Sequence, residues 1–242
     1  MLSCFQKTTA IKKTYRFMNI HSEKFYFNPF ARPFIRLSCN LARARDSRRD
    51  RKICGRSLGR FVPTPYEDRY GATGSQSVPY AGLEEIMSRV SFKDGDSLID
   101  IGCGKGRVLA YLKSSGCKAS LTGIELNPEV ASVASSWAKE HPEISIICGN
   151  AFDIDFDQYT HFFMYRPMDL FTFLSFIKKL EGSLSHPVTL IYYADIESGS
   201  YLEEREGWKI LARDKVFYKN GCFIHLEPQR YSIYEFVPSA KQ

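Results

Sequence analysis

Ser97-Leu-Ile-Asp-Ile-Gly-Cys-Gly-Lys-Gly-Arg-Val-Leu-Ala110 decides the fold of this chain. An apolar run ends on an acid, passes through alternating glycines and resumes as an amphipathic segment, which is the order of a strand, a tight turn and a helix. Glycines 102, 104 and 106 keep side-chain bulk off the turn, so a ligand can lie against the peptide groups and the N-terminus of the following helix. A dinucleotide fingerprint reads Gly-x-Gly-x-x-Gly, whereas here the third glycine comes one residue early and Arg107 stands in its place. Asp100, directly before the turn, is poorly suited to a pyrophosphate but well suited to an ammonium or sulfonium charge. The turn is therefore read as a site for a cationic ligand, ahead of a nicotinamide dinucleotide.

Glu125 closes the next apolar run, Ala119 to Ile124, where a carboxylate can accept both hydroxyl protons of a ribose. Together with Gly123-Ile-Glu-Leu-Asn-Pro128, the turn resembles the first two motifs of the class I S-adenosylmethionine-dependent methyltransferases. The resemblance covers approximately residues 75–238. It implies S-adenosyl-L-methionine as cofactor, with Asp100, Gly102, Cys103, Gly104 and Gly106 bordering the methionine part and Glu125 on the ribose.

Family members commonly place an acid after the third strand to bind the adenine amino group, while this chain has Gly149-Asn-Ala-Phe-Asp153. Asn150 offers its amide oxygen there, with Ala151 beside it and Phe152 able to stack on the base. The alternative makes Asn150 a turn residue and Phe152 core. Upstream, Asp68-Arg-Tyr-Gly71, Thr73 and Pro79-Tyr80 resemble the lead-in of a bacterial branch of the superfamily. In that reading Tyr70 and Tyr80 close over the cofactor and attract its sulfonium; otherwise both are packing residues.

Strand and helix patterns alternate through the centre of the chain. Helices are expected over Val108 to Lys113, from Pro128 to about Glu140 and over Met168 to Leu180, with strands at Ile144 to Cys148, Thr160 to Tyr165 and Val188 to Ala194. A further helix carrying Leu83, Ile86, Met87 and Val90 is expected to cover the sheet edge. The tail reads as β segments from Trp208 onward, joined by a tight turn at Asn220-Gly221. The fold class is α/β: a Rossmann-like, seven-stranded, mostly parallel sheet with an antiparallel C-terminal strand. Residues 1–74 form a basic, partly helical N-terminal extension to a domain over 75–242.

Charge divides the chain. Residues 1–70 hold 16 Lys/Arg against 5 Asp/Glu, and the remainder 17 against 22. Such a head can contact nucleic acid or a membrane surface, or can be a solvated helix folded against an acidic body. The basic, hydroxyl-rich residues 1–20 are also compatible with an organellar transit peptide, but the cytoplasm is the default expectation. Seven scattered cysteines and five dispersed histidines suggest neither a disulfide framework nor a metal site. No apolar run approaches the roughly 20 residues of a membrane span.

The fourth strand ends in Tyr165-Arg-Pro-Met168, where amine-methylating relatives carry Asn or Asp, two prolines and an aromatic residue. Arg166 has donors only and would repel an ammonium acceptor, so it points instead to an anionic acceptor or to a structural ion pair with nearby aspartates. Tyr165 is the catalytic-side candidate for contacting the acceptor, as a hydrogen-bond partner or a base. The expected function is methyl transfer to a small molecule or a protein. A nucleic-acid methyltransferase gripping its acceptor through the basic head, a catalytically inert relative and a nicotinamide oxidoreductase are the alternatives.

Overall fold

A computed structural model describes residues 28–195 and 199–239; the transit-peptide reading of residues 1–20 lies outside them. In chain order the elements begin with α1 (Arg32–Cys54), α2 (Glu67–Tyr70) and α3 (Tyr80–Met87). The alternating core follows as β1 (Ser97–Ile101), α4 (Arg107–Ser114), β2 (Ser120–Glu125), α5 (Pro128–Ala138), β3 (Ile144–Cys148), β4 (His161–Tyr165), α6 (Leu170–Ser183) and β5 (Val188–Tyr193). The chain then continues through α7 (Gly199–Glu203), β6 (Trp208–Val216), β7 (Tyr218–Lys219), β8 (Cys222–Phe223) and β9 (Gln229–Phe236). Asn127 caps α5, its side chain accepting from the Glu129 amide with Pro128 at the first helical position.

The seven-stranded sheet runs β3-β2-β1-β4-β5-β9-β6. β1 pairs in parallel with β2 and with β4, and β9 inserts antiparallel between β5 and β6. Strand order reverses between β1 and β4, so the crossovers leaving these strands pass to opposite sides and open a crevice at their carboxyl ends. The α/β class and the antiparallel final strand follow the sequence reading, as does the turn at Asn220-Gly221, where both residues have positive φ.

Alternating strand residues feed two cores. Phe163 and Ile191 join Leu83, Leu109 and Trp137 on one face, while Phe162, Met164 and Leu190 join Phe173, Phe176 and Ile177 on the other. The helix expected at the sheet edge instead lies on the first face. Leu83 and Ile86 of α3 are fully buried and Gly82 sits against the Tyr193 ring of β5, because its apolar side needs the broad centre of the sheet to be covered from water.

The basic helix α1 packs over α4 and β8. Its Asp50, 0% exposed, accepts from Arg107 Nε at 2.9 Å, from Arg107 Nη2 at 2.6 Å and from the Leu58 amide at 2.8 Å. Arg107 thus closes a buried charge pair between the extension and the helix that follows the glycine turn. With all donors and acceptors matched, such a pair fixes one docking geometry of α1.

Candidate functional site

At the carboxyl ends of β1 to β4 a cleft of about 490 Å³ opens at the topological reversal. Of the glycine turn Gly102 lines its floor, whereas Asp100, Cys103, Gly104 and Gly106 do not line the cleft. Gly102 has φ +71°, and an added Cβ would stand 2.5 Å from Pro167 Cβ, so only a residue without a side chain lets the backbone face the cleft there. Gly106 caps α4 in the left-handed region, and Trp137 fills the space beside it. Cys103 is buried beneath the turn against Gly123 of β2.

Two carboxylates stand at this turn. Glu125, at the end of β2, lines the cleft and accepts from the Gly104 amide at 2.9 Å and the Asn127 amide at 2.9 Å. Burial pushes its carboxyl above the usual range, opposed by those N–H groups. Asp100 is 2% exposed, and its Oδ2 has no hydrogen-bond partner. Burial first, and then the charge of Glu125, hold its carboxyl well above the ordinary value. An orphaned carboxylate oxygen beside a bare glycine turn calls for a donor or a positive charge.

On the far wall Asn150, Ala151 and Phe152 follow β3 and all line the cleft. The Asn150 side-chain oxygen accepts from the Phe152 amide at 3.0 Å and starts a single turn over Ala151–Asp153. The turn-residue alternative is therefore met, while the second lone pair of that oxygen and its side-chain N–H donors remain open to a ligand. Phe152 is half-buried, edge-on to Phe176 with centroids 5.8 Å apart, and still borders the cleft.

Residues 62–76 form the roof. Ser75 bridges to Val62, Ala72 bridges to Met168, the Thr73 hydroxyl donates to the Arg166 carbonyl at 2.7 Å, and Asp169 N donates to the Gly71 carbonyl at 2.7 Å. Lys105 fastens the preceding segment, its ammonium donating to the carbonyls of Leu58 and Arg60. Tyr70 lines the cleft, with Arg69 5.0 Å over its ring. Tyr80 does not line it: the residue is 2% exposed beneath α1, with Arg49 4.3 Å from its ring centroid and Arg107 5.4 Å away. Its apolar ring and its position at the start of α3 carry it into the core instead.

The acceptor candidates separate. Tyr165 lines the cleft and meets Tyr193 edge-on, with centroids 5.1 Å apart. Burial raises its phenol above the ordinary value, against the opposing charge of Arg166, so near neutral pH it is a hydrogen-bond donor rather than a base. Arg166 has φ +44° and an exposed side chain that does not line the cleft. Its carbonyl accepts from Thr73, which does line the cleft.

Sequence reasoning gave no role to Pro167, Met168, Phe171, Thr64, Gly74, Ser75 and Gln76, all of which line the cleft, whereas Tyr70, Gly71 and Thr73 of the expected lead-in line it too. Gly71 carried a signal, since a Cβ there would fall 2.6 Å from Asp169 Oδ2. A second cleft of about 530 Å³ lies beneath α1, and Gln76 lines both. Among the described residues no cluster of His, Cys, Asp and Glu is arranged to hold a metal ion.

Comparison with known proteins bears on the same segment. The family model described as a methyltransferase domain matches residues 98–178, from β1 to the middle of α6. A Mycobacterium tuberculosis protein provisionally assigned as a methyltransferase is 34% identical over 71 residues, 29% of this chain and 43% of its own length. The chain therefore spans less than half the length of that curated relative. Among solved structures, the Bacillus subtilis m1A22 tRNA methyltransferase TrmK superposes with a TM-score of 0.51 at 14% identity, covering 64% of this chain and 65% of its own. The precorrin-6y C5,15-methyltransferase of Geobacter metallireducens gives 0.50 at 13%, covering 72% and 98%. One of these is named for a tRNA and the other for a small macrocycle, so the shared fold leaves the acceptor open.

Proposed function

Since this chain carries a methyltransferase domain of the class I S-adenosylmethionine-dependent superfamily, we propose that the 490 Å³ cleft binds S-adenosylmethionine and that the protein transfers its methyl group to an acceptor entering past Tyr165. The observation that carries this reading is the pairing of a side-chain-free turn at Gly102 with the buried, unpartnered Asp100 oxygen. Together they offer a shaped backbone and an uncompensated acceptor to a ligand that brings an ammonium group.

When bound, S-adenosylmethionine supplies a methyl group on a sulfonium, ready for in-line displacement. Glu125 holds the ribose hydroxyls, exchanging its bond from Gly104 for theirs. Gly102 and Gly104 border the methionine portion, while Gly106, Cys103 and Trp137 keep the turn in shape from beneath. Asn150 and Ala151 face the adenine edge, with Asn150 donating through its amide nitrogen, and Phe152 covers a face of the base. Tyr70 and the roof exclude water from the reacting centre. Alignment at about 3–3.5 Å then supplies most of the acceleration, and no strong base is required. Tyr165 orients the acceptor by donating its phenolic hydrogen, and Arg166 acts through its backbone.

The division into an extension over 1–74 and a domain over 75–242 belongs to the same proposal. So does a cytoplasmic setting, which suits the free thiols of Cys39, Cys54, Cys103, Cys117, Cys148 and Cys222. Among the described residues no helix is long and apolar enough to cross a membrane. Thermal unfolding with S-adenosylhomocysteine and, separately, with NAD tests the reading. A midpoint rising with S-adenosylhomocysteine alone is expected; a rise with NAD alone would replace methyl transfer by a redox reading.

A further inference from the structure

The mixed charges of α1 are sorted by the fold. Its two acids turn inward: Asp50 is enclosed by Arg107 and Leu58, while Asp46 accepts from the Tyr80 amide at 3.3 Å and stands 3.6 Å from Arg107. Most of its bases turn outward, the exception being Arg49, which pairs with Glu84 and lies over the Tyr80 ring. Arg36, Arg43, Arg45, Arg48, Arg51 and Lys52 are all exposed, and none of them forms an ion pair with a carboxylate among the described residues. Arg56 and Arg60 continue the series beyond the helix. A helix of 23 residues spans about 34 Å, so the outcome is an extended cationic ridge rather than a single anion pocket.

The ridge leads toward the site. Arg43, Asp46 and Ser47 of α1 form one wall of the 530 Å³ second cleft, facing His225 and Gln229 across it. Gln76 separates this space from the donor cleft. Beneath it, the Tyr193 hydroxyl meets His225 Nε2 at 2.5 Å and the Tyr193 ring packs on Tyr165. The second cleft, with Arg43 on one wall and Glu227 among its other lining residues, meets the Tyr165-lined donor cleft at Gln76, and exposed bases next to such a junction suit an acceptor whose anionic charge is spread along a strand.

We propose that the methyl acceptor is carried on a nucleic-acid strand, gripped through its phosphodiester backbone by the outward bases of α1 and led through the second cleft to Tyr165. This rests on the methyl-transfer reading above. The ridge neutralises phosphates without selecting bases, so affinity falls steeply with salt, and the cleft makes the choice of nucleotide.

The test uses the full chain and fluorescein-labelled 20-nucleotide single strands of mixed sequence, one RNA and one DNA, followed by anisotropy from 50 to 200 mM salt. The triple variant Arg48→Ala, Arg51→Ala, Lys52→Ala removes three exposed bases whose side chains line neither cleft. Saturable binding of either strand is expected, weakened at least tenfold at 50 mM salt in the variant. The slope of log affinity against log salt should flatten by about 2, from about 0.7 per lost phosphate contact; the arm that binds identifies the sugar. Binding of neither strand, equal binding by the variant, or binding only to phosphatidylserine vesicles run in parallel would overturn the proposal. Calorimetry with S-adenosylhomocysteine on the same samples keeps the two readings apart. Donor binding without strand binding refutes the acceptor class alone, whereas loss of donor binding in the unaltered chain refutes the methyl-transfer reading.

Discussion

The proposed donor side and the proposed acceptor side of this molecule are built by different means. The donor side consists of backbone and two carboxylates at the ends of adjacent parallel strands, with Asp100 opposite Gly123 in register and Glu125 accepting from Gly104. The acceptor side is assembled from distant segments: Thr73 on Arg166, Tyr193 on His225, and α1 locked to α4 through Asp50 and Arg107. The first is set by local geometry that the fold repeats wherever such a turn occurs. The second is particular to this chain, which is where its choice of acceptor must reside.

The largest expected effect tests how firmly the acceptor side is tied down. Asp50→Ala removes both short hydrogen bonds of the buried Arg107, leaving Asp46 at 3.6 Å, and should cost about 3–5 kcal/mol, seen in chemical denaturation as a lower midpoint; an unchanged midpoint would mean that α1 is an appendage. Next comes the donor side. Glu125→Gln should weaken S-adenosylhomocysteine binding by about 1.5–3 kcal/mol, the range for a hydrogen bond to a charged group, as read by calorimetry. Gly102→Ala places a Cβ against Pro167 at positive φ and should cost about 1–2 kcal/mol of stability, with weaker ligand binding beyond that loss. The second cleft should be indifferent to both changes, so unaltered strand binding by them would sharpen the contrast between the sides.

The smallest effect is a pH dependence. Folded Asp100 keeps its proton to higher pH than the unfolded chain, whose carboxyl titrates near 3.8. Its contribution to stability is therefore full below that value and is lost as pH rises through the folded value. Asp100→Asn should match the parent in acid and become relatively more stable toward neutral pH, while binding the donor less well. A difference between the two that shrinks as pH rises would show that Asp100 is not strained by its burial.

Legibility in the sequence followed the same divide. The glycine turn, Glu125, the capping Asn127 and the alternating strands lie within short windows, where period and turn chemistry act directly. Tyr80 was read as ligand-facing from the resemblance of Pro79-Tyr80 to a family lead-in, with packing as the alternative; the packing reading holds, and its burial depends on α1, whose Arg49 lies more than thirty positions upstream. Arg107 was legible only as a misfit in a dinucleotide fingerprint, since its partner Asp50 sits inside a run of arginines. Asn150 was read either as an adenine contact or as a turn residue, and its bond from the Phe152 amide two residues on shows the turn role without deciding the other. The charge sorting of α1 was equally hidden, because composition records how many acids and bases a segment has and not which way they turn.

A crystal of the full chain grown with S-adenosylhomocysteine is the most direct measurement of the central claim. Density for the nucleoside in the 490 Å³ cleft, with both ribose hydroxyls within hydrogen-bond distance of Glu125 and the amino group directed at Asp100, is the result expected. A nucleoside lodged in the second cleft, or lying in the first with Glu125 still bonded to the Gly104 amide and away from the ribose, would contradict it.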